Sequence, residues 1–263
     1  MKNYKALSGL DFSIEIPGDK LDYSKTDFAQ AVDWVKDFSF DKYAYKLQNV
    51  NHGPNYFGVR YMERTEDQKL MGDNQYEYDV TAFEPGLVGE EFVKTVGHYH
   101  SHVPGLDISY PEVYEVIEGE IEYLLQSEPD TEGKVNVIFV QTVAGDKIVM
   151  PPNYGHISIN VHDRRSVEAN IQKRDLPKTS DYSLFKERVG GALYRTVDGL
   201  EENPNYQIES LRIVRPLEKP EWGLTRGKPL YTSMIEHLDK FHWLTKPQDY
   251  DFNLDTLFED IEL

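Results

Sequence analysis

Eight short segments between residues 56 and 172 mix apolar and polar side chains and are each cut off by Gly, Pro, Asn or Asp. This rhythm limits the fold more than any other feature of the chain. Tyr56–Glu63, Tyr76–Phe83, Glu112–Ile117, Glu120–Ser127, Val135–Gln141, Lys147–Met150, His156–Val161 and Ser166–Gln172 all read as strands. Glu118-Gly119 offers a tight turn between two of them. Short strands with little helix between them predict an antiparallel sandwich or barrel. The 18 Tyr and 12 Phe suit such sheets and argue against a disordered chain.

The flanks read differently. Residues 1–23 look like an irregular arm. Asp27 with Gln30 fits a helix cap, and Phe28, Ala31, Val32, Val35 and Phe38 follow at helical spacing, which predicts a helix lying on a sheet face. Residues 1–50 are therefore read as an arm and helix, 51–206 as the β domain, and 207–263 as an extension. Pro216, Pro220, Pro229 and Pro247 break the extension into pieces. Within it Leu211–Val214 reads as a strand, and Ser233–Phe241 and Leu254–Ile261 as short helices. The acidic end Phe258–Leu263 reads as a solvated tail or an oligomer contact.

With 46 acidic and 28 basic residues the formal net charge is −18, which repels phosphate backbones and argues against nucleic-acid binding. An anionic substrate then needs a local pocket. There is no Cys, so thiolate ligands and disulfides are excluded. Met1–Leu10 lacks the apolar stretch of a signal peptide, and no run is long enough to span a bilayer, so a soluble cytoplasmic protein is expected.

Gly97-His98-Tyr99-His100 places two histidines at i and i+2, on one side of an extended strand. Glu112 follows, and His156 lies further on. Three neutral imidazoles and one carboxylate suit a divalent transition metal and leave open positions for substrate oxygens. Pro151-Pro152 cannot continue a central ladder, so a turn there delivers His156 at the start of the next strand. Tyr114 shares a strand face with Glu112 and so lines the same cavity. His102 extends the alternation but precedes Pro104-Gly105, and reads as a loop residue near the mouth.

These spacings resemble the two sequence motifs of the cupin superfamily. That resemblance implies an all-β, double-stranded β-helix (jelly-roll) barrel, here with an N-terminal helix and a C-terminal extension. It sharpens on Thr95-Val96-Gly97-His98-Tyr99-His100, Pro111-Glu112-Val113-Tyr114, Leu124-Leu125-Gln126 and Val149–His156 with Asn160. Upstream are Thr81–Gly86 and Gly89–Phe92; downstream are Asp181-Tyr182 and Asn203-Pro204. Over about residues 54–206 the chain is similar to the cupin-type glucose-6-phosphate isomerases of archaea and some bacteria. The resemblance implies a homodimer that binds one divalent metal (Fe, Mn, Ni, Zn or Co) through His98, His100, Glu112 and His156. It implies a sugar-phosphate substrate held by Thr81, Thr95, Gly97 and Tyr182, with Tyr114 and a tyrosine of the preceding strand, taken as Tyr56, at the sugar. Departures are the longer loop Ser101–Pro111, Asn153 at a usual glycine place, Ser180 where the family has histidine, and residues 207–263, which have no counterpart.

The implied reaction moves a proton between C1 and C2 of the open-chain sugar through an enediol. Glu112 is the candidate base, because no second carboxylate is evident at the site from the sequence, and Tyr114 is the candidate relay. A cupin dioxygenase with the same ligands, and a non-enzymatic sugar- or metal-binding module, are the alternative readings.

Overall fold

A computed structural model of the chain describes residues 2–14, 21–22, 28–34, 56–176 and 180–261. Its strands are β1 Lys2–Asn3, β2 Ser13–Ile14, β3 Leu21–Asp22, β4 Phe28–Trp34, β5 Tyr56–Arg64, β6 Tyr76–Phe83, β7 Leu87–Val88, β8 Glu91–Phe92 and β9 Glu112–Glu118. They continue with β10 Glu120–Ser127, β11 Lys134–Val143, β12 Lys147–Met150, β13 Tyr154–Asn160, β14 Ser166–Lys173, β15 Leu193–Thr196, β16 Gly199–Glu202, β17 Gln207–Pro216 and β18 Phe258–Asp260. Helices are short: α1 Lys5–Ser8, α2 Gln68–Asn74, α3 Ser183–Glu187, α4 Leu230–Glu236 and α5 Leu254–Leu257. Among the described residues no helix is long and apolar enough to cross a membrane.

Two large sheets form the body, in the strand orders β12-β9-β14-β6-β5-β4 and β13-β10-β11-β17-β18. The ladders among the described residues are antiparallel except β11–β17, which run parallel. The non-sequential orders, in which neighbours come from distant parts of the chain, are those of a jelly-roll. All eight strands expected between 56 and 172 are present, within two residues at each end. Gly119 makes the β9–β10 turn at φ +85°, and a Cβ there would lie 2.2 Å from Ser166 Oγ, so the turn needs glycine on both counts.

Side-chain alternation builds the site into one sheet. On β14, Val167, Ala169 and Ile171 enter an apolar cluster, whereas Glu168, Asn170 and Gln172 line a pocket on the opposite face. The same cluster contains Leu230, Tyr231, Met234, Phe241 and Trp243, so the extension covers the outer face of this sheet. Tyr78 on β6 meets the Tyr231 ring edge-on at 5.1 Å, and Glu115 on β9 accepts from Leu230 N at 2.8 Å while paired with Lys147 at 2.9 Å. The outer face of the other sheet is closed by Tyr99, Phe185, Ala192 and Leu193 packed on Leu124, Phe139 and Ile157.

Three expectations are corrected. Phe28–Trp34 is strand β4, antiparallel to β5, and not the start of a helix; residues 35–50 lie outside the described residues. Phe28, Val32 and Trp34 also fit period 2, and pairing with β5 decides between the two periods. Leu254–Ile261 is a single helical turn, α5, followed by strand β18. The acidic end is therefore no free tail up to residue 261: Leu257 and Phe258 are buried, and β18 adds to the edge of β17.

Candidate metal centre

In place of the strand expected around His98 and His100, residues 93–98 run beside β13 through isolated bridges, Lys94 to Ile159 and His98 to His156, while Tyr99 bridges to Asp181 and His102 to Ser109. His98 pairs directly with His156, with His156 N donating to His98 O at 3.1 Å, so the two imidazoles leave the backbone side by side. His100 lies two residues on, and Glu112 opens β9. The turn before β13 holds Asn153 at φ 65°, a left-handed conformation that Asn tolerates in place of glycine. Its side chain accepts from Ser109 N at 2.7 Å, and its own N–H donates to Ser109 Oγ at 2.6 Å, which pins the long 101–111 loop to that turn.

One ligand atom from each of His98, His100, Glu112 and His156 falls within 4.8 Å of the others. His100 Nε2 and His156 Nε2 each lie 3.3 Å from Glu112 Oε2, and His98 Nε2 lies 3.3 Å from His100 Nε2. His100 Nδ1 donates to Tyr110 O at 2.9 Å, since a carbonyl can only accept, and this leaves the Nε2 lone pair facing inward. Asn170 Nδ2 donates to Glu112 Oε1 at 2.6 Å, whereas Oε2 is buried without a hydrogen-bond partner. Converging lone pairs around an orphaned carboxylate oxygen are unfavourable unless a cation sits among them, so this group can hold a metal ion.

The protonation states fit. Burial, then the neighbouring His156 and His100, drive His98 well below the ordinary histidine range, and burial lowers His156 too; neutral imidazole is the ligating form. Burial raises Glu112, but contacts to His100 and His156 outweigh it and leave the carboxylate well below its usual range. Asn170→Ala is expected to weaken metal binding about 10–100-fold, because the carboxylate loses its orienting donor. Titration against a chelator of known affinity measures this, and unchanged affinity would remove Asn170 from the centre.

Beside the cluster, Tyr56, Thr81, Thr95, Tyr114 and Tyr182 line one pocket together with His98 and Glu112. The Tyr182 ring stacks on His98 at 5.0 Å, and the Tyr114 hydroxyl lies 3.3 Å from His156 Nε2. Burial, reinforced by Glu112 and Glu168, keeps the Tyr114 phenol protonated well above neutrality. Thr95 Oγ1 accepts from Ser158 N at 3.0 Å. Gly97 is not among the pocket-lining residues: it lies beneath Phe185, where a Cβ would come within 2.3 Å of the ring. His102 stands apart from the ligand cluster and pairs with Glu128 at 3.0 Å.

Sequence reasoning missed the rest of the wall. Arg60, Asp79, Glu168, Asn170 and Gln172 also line the pocket, so a second carboxylate is present near the candidate ligands, contrary to the expectation from sequence. Glu168 is buried, accepts from the Tyr123 hydroxyl at 2.8 Å, and is pushed up to about 8, chiefly by burial and further by Glu112. The available signal was the alternation Glu168, Asn170, Gln172 against Val167, Ala169, Ile171: a polar face is not always a solvent face.

Comparison with known proteins gives a consistent picture. The family model described as glucose-6-phosphate isomerase (GPI) matches residues 35–211, about two thirds of the chain. The glucose-6-phosphate isomerase of Thermococcus litoralis is 27% identical over 177 residues, 66% of this chain and 84% of that protein. That of Thermococcus onnurineus is 28% identical over 188 residues, 70% and 87% respectively. Among solved structures, vicilin from Capsicum annuum aligns over 47% of this chain and 29% of its own at 13% identity and a TM-score of 0.34, a likeness too distant to carry an argument.

Proposed function

The chain belongs to the glucose-6-phosphate isomerase family, and on that premise we propose that it interconverts glucose 6-phosphate and fructose 6-phosphate using a divalent transition metal held by His98, His100, Glu112 and His156. The observation that carries the reading is the convergence of those four ligand atoms within 4.8 Å beside a pocket walled by Thr81, Thr95, Tyr114 and Tyr182. The bound cation would act as a Lewis acid toward the sugar carbonyl and the developing enediolate; Fe, Mn, Ni, Zn and Co all suit this donor set.

The chain's own groups do the remainder. Glu112 is the base that moves a proton between C1 and C2, by virtue of its place among the ligands. The Tyr114 phenol donates to the sugar oxygens and relays a proton between them. The hydroxyls of Thr81, Thr95 and Tyr182 receive the phosphate and Tyr56 borders the sugar; the family's contact through the N–H of Gly97 falls on a residue packed under Phe185, outside the pocket wall. The phosphate and sugar contacts and a homodimeric assembly are carried over from the family resemblance, and the isomerase reading suits a cytoplasmic location.

A coupled fructose 6-phosphate isomerase assay tests the reading. Chelated protein is expected to be inactive, and reconstitution with Fe or Mn to restore turnover. Activity indifferent to chelation would contradict it. Oxygen consumption with a diol substrate, in the absence of isomerisation, would transfer the protein to the oxygenases.

A further inference from the structure

We propose that Arg60 supplies the positive charge that recognises the phosphate of the substrate and makes this pocket selective for a dianionic sugar. The inference rests on the isomerase reading and names the residue that would set its substrate class.

The chain carries a formal net charge of −18, so its long-range field opposes a dianion. The Glu112 carboxylate also lines the pocket, beside the Asp79 and Glu168 carboxyls, which burial raises. Threonine hydroxyls and backbone N–H groups donate hydrogen bonds but offset none of that charge. Arg60 is the one Lys or Arg lining the pocket among the described residues. Guanidinium is also the side chain whose planar fork best matches phosphate oxygens.

The backbone aims it there. Tyr56 and Arg60 stand on β5 four residues apart and both line the pocket. The β5–β6 ladder ends at Val59–Val80, and Tyr61 follows at φ 57°, a kink that a non-glycine residue rarely adopts. Asp79 stabilises the kink by accepting from Tyr61 N at 3.0 Å in place of a ladder bond. The same carboxyl accepts from Arg60 Nη1 at 2.9 Å and from Gln172 Nε2 at 3.3 Å, and Glu77 accepts from Arg60 Nη1 at 3.2 Å. Both carboxyls thus meet Arg60 at one nitrogen and hold the guanidinium in a fixed orientation. Burial raises Asp79 and Glu77, and the Arg60 charge beside them pulls both the other way.

Position fits the substrate as well. Tyr182 and Arg60 line the same pocket as His98 of the ligand cluster, on which the Tyr182 ring stacks at 5.0 Å. An open-chain sugar phosphate has its carbonyl carbons at one end and its phosphate at the other. The one pocket holds both ligands of the candidate metal centre and a guanidinium.

The test uses metal-loaded full-length protein, with inorganic phosphate binding measured by calorimetry and fructose 6-phosphate kinetics measured in parallel. Arg60→Met is expected to raise both the phosphate Kd and the KM about 100-fold, with metal content unchanged. Arg60→Lys keeps the charge but loses the fork, and an intermediate loss of about tenfold is expected. It also serves should the methionine variant fail to fold. Phosphate affinity and KM within twofold of wild type in a folded Arg60→Lys or Arg60→Met protein would overturn the proposal, as would a fall in kcat alone. A wild-type protein that binds phosphate through Arg60 but isomerises nothing would sink the isomerase reading and leave the anion site standing.

Discussion

Replacing Glu112 with Gln is expected to cut isomerase turnover at least about 10³-fold and to leave the protein unable to retain metal through dialysis. The substitution preserves volume and lets the new amide oxygen keep the bond from Asn170, which now goes to Oε1 at 2.6 Å. What it removes is the negative charge at Oε2, the atom 3.3 Å from both His100 Nε2 and His156 Nε2. An amide nitrogen at that point would turn a donor toward the imidazoles; an amide oxygen would supply a much weaker ligand. Elemental analysis after dialysis, together with the coupled assay, reads both effects. A variant with full metal content but no turnover would separate the base from the ligand role. A variant with normal turnover and metal content would remove Glu112 from both.

How much of this was legible in the chain depends on which forces decide each part. Strands β5, β6 and β9 to β14 are visible because β-branched and aromatic runs end at real breakers, such as Gly119 and Pro151. The four candidate ligands are visible because His-x-His and a histidine after Pro-Pro are spacings with few other uses. Beyond them, local pattern loses to tertiary contact. The long β17 reads as a short strand because it pairs in parallel with β11, some seventy residues away, and local sequence carries no mark of that partner. The helical reading of Phe28–Trp34 fails because seven residues satisfy either period. Glu168, Asp79 and Arg60 escape notice because polar alternation ordinarily marks a wet face. Here the other face is covered by Tyr231, Phe241 and Trp243, and the polar face turns into the pocket.

That inverted face leads to the second large effect, which is on stability. Glu168 is 1% exposed, and burial holds its carboxyl at about 8 despite the hydrogen bond donated by the Tyr123 hydroxyl. An acid raised in the folded state binds its proton more tightly there than in the unfolded chain, where it titrates near 4.5. The stability it contributes is therefore complete below about 4.5 and is lost as pH rises through about 8. An uncharged amide in its place would have no such dependence. In metal-free protein, Glu168→Gln is expected to be close to neutral at acid pH and to stabilise the fold by roughly 3–5 kcal/mol once Glu168 would be ionised. Urea unfolding of wild type and Glu168→Gln on either side of this interval measures the difference. If the two curves stay parallel across it, Glu168 does not change charge on folding, and the pocket already stabilises its ionised form. If they diverge as expected, the wall beside the candidate metal centre carries a carboxyl that is mostly protonated near neutrality. An anionic substrate would then meet one negative charge fewer than the sequence suggests, a condition that favours admitting a dianion to so acidic a protein.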